Sequence, residues 1–150
     1  MAQTATRYFG SIDFEPSDVV QFPHGLPAFE EELEFLLLRP PASAPVVFLQ
    51  SLRRPSLCFL ALPIEAIIPD YRLSITREDL ETLALPADRQ PVPGSEVWCL
   101  AIIVVTENGQ VNANLLAPII VNPANRRALQ AIRIDSCYSH QHKVAEGVCS

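Results

Sequence analysis

The stretch VWCLAIIVVT at residues 97–106, followed by ENGQ at 107–110 and VNANLLAPIIV at 111–121, decides how this chain folds. Residues 97–106 form a nearly unbroken apolar run rich in β-branched side chains, bounded by Gly94-Ser95 before it and Asn108-Gly109 after it. Such a run reads as a strand covered on both faces and belongs at the centre of the core. Asn108-Gly109 between two apolar runs is a strong hairpin signal, because both residues accept positive φ at low cost. The second arm therefore folds back antiparallel. It carries Asn112, Asn114 and Pro118, which a fully buried central strand tolerates poorly. That arm is expected to bend or change neighbours near Ala117-Pro118, as strands do when a small sheet curls toward closure.

Outward from this hairpin, short apolar runs recur between stiff connections. Fourteen prolines against five glycines in 150 residues, 49% of them hydrophobic, indicate one domain of many short strands rather than long helices or disorder. Thr4 to Ile12 reads as a first strand bent at Gly10, and Val19–Phe22, Leu33–Leu38, Val46–Leu52 and Leu57–Leu62 read as further strands. In the Pro-bracketed passage Pro63–Tyr71, Ile64, Ile67 and Ile68 are the expected anchors. Thr76, with Asp79 three residues on and Leu80 and Leu83 on one face, predicts a capped helix of about two to three turns closed by Pro86. Asn122-Pro123 predicts a helical turn through Arg127, followed by a half-exposed strand at Ala131–Asp135. The sum is a mainly β, small antiparallel barrel-like single domain over 1–138 with one or two short helices, and a mobile tail over 139–150.

The net charge of −6 disfavours nucleic acid and favours basic partners. Up to Leu38, Asp13, Glu15, Asp18, Glu30, Glu31, Glu32 and Glu34 face Arg7 alone, so the first quarter carries the whole chain's excess. Glu30–Glu34 reads as a solvated connection; the competing reading is a docking face for a basic protein. The start of the chain lacks the basic flank and apolar centre of a signal peptide, and no apolar run is long enough to cross a membrane, so a cytoplasmic location is expected.

No catalytic constellation stands out. Cys58 and Cys99 read as small core hydrophobes. Cys137, His140, His142 and Cys149 combine thiolate and imidazole, but Cys-x2-His-x-His-x6-Cys matches no familiar zinc site. A small metal-binding barrel or enzyme using that tail is the alternative reading; no metal, no cofactor and no enzymatic activity are expected. Candidate contact residues are Pro69, Asp70 and Tyr71, where an exposed tyrosine anchors interfaces and a buried one packs with its hydroxyl bonded. Asn112 and Asn114 share one strand face and either present their amides outward or bond strand-end backbone. Phe29 and Glu30 are placed on an acidic rim, with Phe22, Phe48 and Phe59 in the core.

Four strings taken in order are more specific than composition. FPHGLPAFE at 22–30, FLQSLRRPSLCF at 48–59, PDY at 69–71 with Ile75 and Asp79-Leu80, and NANLLAPIIVN at 112–122 resemble the bacterial flagellar assembly factor family FliW, as does Gln130. The resemblance spans roughly Phe9 to Tyr138. The family usually has Gly at the position of Ala28 and Thr at that of Asn112; Ala28 then implies that this position need not take positive φ. The resemblance implies a non-enzymatic partner switch that binds flagellin and the translational regulator CsrA, with no direct contact to nucleic acid or membrane.

Overall fold

In a computed structural model, residues 2–132 and 138–144 are described. The 97–106 run is β7 (Trp98–Val105), and its alternating side chains enter two separate cores. Val97, Cys99, Ala101 and Ile103 join one cluster, while Leu100, flanked by Trp98 and Ile102, joins the other. A strand buried on both faces needs two covers, and the rest of the chain supplies them.

The first cover is the sheet itself. Strands β3 (Val19–Gln21), β4 (Glu34–Leu38), β5 (Val47–Ser51), β6 (Cys58–Pro63) and β7 follow one another antiparallel. The hairpin arm after β7 divides, as expected from Pro118, into β8 (Val111–Ala113) and β9 (Ile119–Asn122). Both halves pair with β7, but on its other edge β9 meets β10 (Arg127–Gln130). Strand β10 runs parallel to β3, which closes a seven-stranded barrel. Asn114 shapes the break: its Oδ1 accepts the N–H groups of Leu116 at 3.2 Å and Ala117 at 3.0 Å, freeing the chain from the ladder between the two halves. Phe22, Phe35, Leu49, Leu100, Ile119 and Val121 fill the interior.

The second cover is the passage between β6 and β7. Ile64, Tyr71, Leu73, Ile75, Leu80 and Leu83 pack on the outer face of β7 and β9, with Ile67 and Ile68 half-buried beside them. Each fully buried Leu or Ile contributes about 2 kcal/mol. Helix α1 (Arg77–Thr82) is shorter than its pattern predicts. Thr76 caps it by accepting the Asp79 N–H at 3.1 Å. It ends because Ala84 turns left-handed at φ 58, with Leu85 N–H donating to the Leu80 carbonyl and Ala84 N–H to that of Glu81.

Three local expectations change. The Thr4–Ile12 segment is two strands, β1 (Ala2–Thr6) and β2 (Gly10–Phe14), because Gly10 at φ 68 reverses the chain where a bend was expected. The β7–β8 connection uses positive φ only at Gly109, with Thr106 N–H bonded to the Gln110 carbonyl, a three-residue loop rather than a two-residue turn. Asn122-Pro123 opens no helix: Asn122 Oδ1 takes the Ala124 N–H, Arg126 turns left-handed at φ 61, and β10 follows at once. Strand β10 precedes the strand expected at Ala131–Asp135, of which residues 131 and 132 are not strand and residues 133–135 are outside the described residues. In the C-terminal segment, β11 (His142–Lys143) pairs with β8 through Ala113 and Asn112.

Gly at position 84 would remove the left-handed cost that an L-residue pays there, of about 1 kcal/mol. Ala84→Gly is expected to raise the urea midpoint with an unchanged slope; a lowered midpoint would show that the helix end is not strained.

Candidate partner-binding site

The four strings that mark the resemblance meet in pairs, at two junctions. At the first, the 22–34 loop folds onto the β5–β6 turn. Gly25 has φ 65, and a Cβ there would lie 2.6 Å from Glu30 Cα, so only glycine lets the loop close on the Glu30 backbone. Leu26-Pro27-Ala28-Phe29 then reverses direction, with Phe29 N–H donating to the Leu26 carbonyl at 2.7 Å. Pro27 leads and Ala28 follows at φ 71, the pattern of a type II turn. The expectation that Ala28 need not take positive φ is therefore not met: the turn requires that conformation, and alanine adopts it at a steric cost that glycine would not incur.

The acidic run that follows is not uniformly solvated. Glu30 and Glu31 are exposed, but Glu32 is only 3% exposed. Its Oε1 lies 3.3 Å from Arg54 Nε, and its Oε2 accepts the Ser51 hydroxyl at 3.3 Å. Ser51 Oγ in turn accepts the N–H groups of Arg53 and Arg54. Gln50 Nε2 reaches the carbonyls of Ser51 and Pro55 at 3.1 Å each, holding the turn closed. The Arg54 guanidinium lies 5.8 Å from the Phe29 ring centroid, and Phe29 meets Phe59 edge-on at 5.6 Å. Phe29 is thus half-buried packing beneath the loop. Glu30 stays on the surface, its carboxylate accepting the Ala28 N–H at 3.3 Å.

At the second junction the PDY passage meets the NANLL string. Tyr71 is buried, donates its hydroxyl to the Leu115 carbonyl and lies 4.3 Å, centroid to centroid, from Tyr138. The exposed-anchor reading of Tyr71 fails, because a bonded hydroxyl makes its burial favourable. Pro69 and Asp70 are exposed and line, with Tyr71, Arg72 and Val92, a groove of about 580 Å³. Asn112 is half-buried, taking a hydrogen bond from Gln110 Nε2 at 3.3 Å, and Asn114 spends its carbonyl oxygen on backbone. Glu32, Ser51 and Arg54 were missed as a unit. The signal was present in the pairing of an acidic run in one string with Arg53-Arg54 in the other.

Burial pushes the Cys58 thiol up to about 11, which makes it a poor nucleophile near neutral pH. Cys137 and Cys149 of the suggested metal set lie outside the described residues, and among those described no group of three or more His, Cys, Asp or Glu is arranged to hold a metal. No helix of the described residues is long and apolar enough to cross a membrane.

The sequence profile of the family described as FliW protein matches residues 3–144. The chain belongs to the FliW family of flagellar assembly factors. It is 34% identical over 136 residues to the flagellar assembly factor FliW of Syntrophomonas wolfei, covering 90% of this chain and 83% of that one. With the FliW of a Geobacillus species it shares 33% over 141 residues, 93% of each. The fold agrees with the crystal structure of a flagellar assembly factor FliW, TM-score 0.80 at 30% identity, covering 95% of this chain and 96% of that one. The family match extends beyond Tyr138 to include β11, and the family is one of assembly factors rather than enzymes.

Arg54→Ala is expected to destabilise by about 2 kcal/mol, the buried carboxylate losing a partner that is itself half exposed. Adding Glu32→Gln should recover part of the loss; denaturation of the four species showing no coupling would exclude the pair as a clamp. Iodoacetamide at pH 8 should modify Cys58 ~100-fold more slowly than an ordinary thiol, the rate rising tenfold per pH unit up to about pH 11, read by peptide mass mapping.

Proposed function

We propose that this chain acts in the bacterial cytoplasm as a partner switch, binding flagellin and antagonising the translational regulator CsrA. Flagellin, when abundant, occupies the protein and leaves the regulator free to repress; when flagellin is exported, the protein captures the regulator and translation resumes. The single observation that carries this reading is the first junction. Exposed Glu30 and Glu31 stand on a loop clamped from beneath by Glu32, Ser51 and Arg54; Glu31 has Arg53 at 4.0 Å, so it is chiefly Glu30 that presents negative charge on this preorganised surface. A regulator basic enough to hold RNA is complementary to such a surface, and complementarity of this kind speeds encounter and fixes register. Family membership supports the flagellar setting, and the net charge of −6 argues against the chain holding RNA directly.

Within this reading Glu30, Pro69 and Asp70 are contact residues, while Phe29, Tyr71, Asn112 and Asn114 hold the surfaces that present them. Calorimetric titration with flagellin and CsrA from the same organism, at two salt concentrations, tests it. Binding of both, with the regulator's affinity falling as salt rises and about tenfold in Glu30→Lys/Glu31→Lys, is the expected result. Absence of binding to either partner by a folded chain would refute the switch.

A further inference from the structure

Trp98, the only tryptophan in the chain, carries two guanidinium groups against its ring: Cζ of Arg39 lies 4.6 Å and Cζ of Arg126 4.9 Å from the ring centroid. Arg39 follows β4 and Arg126 precedes β10, so the closed barrel brings together two like charges far apart in sequence. Neither has a carboxylate within 4.0 Å among the described residues, whereas Arg53, Arg54, Arg77 and Arg89 all do. Arg126 stands on a left-handed backbone with its guanidinium partly buried. Burial lowers its pKa, the charge of Asp18 works in the opposite sense, and the charge of Arg39 lowers it further. Arg39 is exposed and Arg126 half-buried, its Nε donating to the Val19 carbonyl at 3.5 Å, so an acidic protein keeps two neighbouring cations open to an incoming anion.

Beside them opens a cavity of about 380 Å³, walled by Arg39, Pro45, Val47, Trp98 and Leu100, with Glu65 also on its lining. Its size suits roughly one or two large side chains, within the range of ligand pockets. We propose that this is a docking pocket for a peptide segment of a partner protein in which a carboxylate side chain adjoins a bulky apolar one. The apolar side chain fills the cavity against Trp98 and Leu100. The carboxylate meets Arg39 and Arg126, whose planar forks are matched to it and whose charges it neutralises. Glu65 at the cavity and the chain's overall negative charge select against a polyanion such as RNA, which would bring several phosphates where one anion is wanted. This pocket shares Glu65 with the lining of the second junction's groove, but Arg39, Trp98 and Arg126 belong to neither junction, and the inference stands whether or not the flagellin reading does.

Trp98 reports on its own site, since no other indole contributes emission. The full chain is used to select from a random library of terminally blocked heptapeptides, and selected peptides are titrated against Trp98 fluorescence. Binders enriched in Asp or Glu next to Leu, Ile or Phe are expected, with affinity falling at least tenfold in Arg39→Gln and partly retained in Arg39→Lys. Arg126→Gly, which suits the left-handed backbone and preserves the turn, should weaken the same peptides while circular dichroism stays unchanged. Selection without acidic enrichment, affinity indifferent to Arg39→Gln and Arg126→Gly, or a stronger Trp98 response to polyuridylate than to any peptide would each overturn the proposal.

Discussion

A strand that is apolar on both faces has to be covered twice, and the architecture follows from how β7 meets that demand. On one face the sheet curls round until β9 pairs with β7 and β10 together, enclosing Leu100 among Phe22, Phe35 and Leu49. On the other, the passage from Ile64 to Leu83 lies across Cys99, Ala101 and Ile103. Closure also removes the exposed edges that a seven-stranded open sheet would present to other chains. The division of the hairpin arm at Asn114–Pro118 makes this possible, because one straight strand could not serve both the extended β7–β8 hairpin and the barrel seam.

Polar groups then decide where the loops sit on that frame. Glu32 is buried at a cost that only its bonds to Arg54 and Ser51 offset, and the same bonds tie the 22–34 loop to the β5–β6 turn. Tyr71 performs the corresponding task at the second junction, its hydroxyl satisfying the Leu115 carbonyl where the strand leaves its ladder. A surface held this way loses little conformational entropy when a partner docks. Membership of the FliW family is consistent with these strings acting as loop clamps as much as contact surfaces.

Much of the frame was legible from local pattern. The both-faced burial of β7, the break near Pro118, the Thr76 cap and strands β3 to β6 all come from residues whose hydrophobic period or backbone preference acts over a few positions. Failures occurred where a local preference competed with distant packing. Ala28, Ala84 and Arg126 take left-handed conformations that no alanine or arginine advertises, because the turns they occupy are set by what lies on either side. The Asn122 turn shows the same competition: a residue pair suited to opening a helix instead redirects the chain, since β10 gains more by sealing the barrel between β9 and β3.

By itself, the sequence determined the class of fold, the central strand, and the four strings that place the chain in its family, since these depend on periodicity, β-branching and turn chemistry read within short windows. Only the tertiary structure decided which carboxylate of the acidic run is buried, that Tyr71 faces inward, and that Arg39 and Arg126 converge on Trp98. The physical reason is common to all three. The fate of a polar or charged side chain depends on the partner opposite it, and here those partners lie roughly twenty to ninety residues away, brought into reach only when the barrel closes.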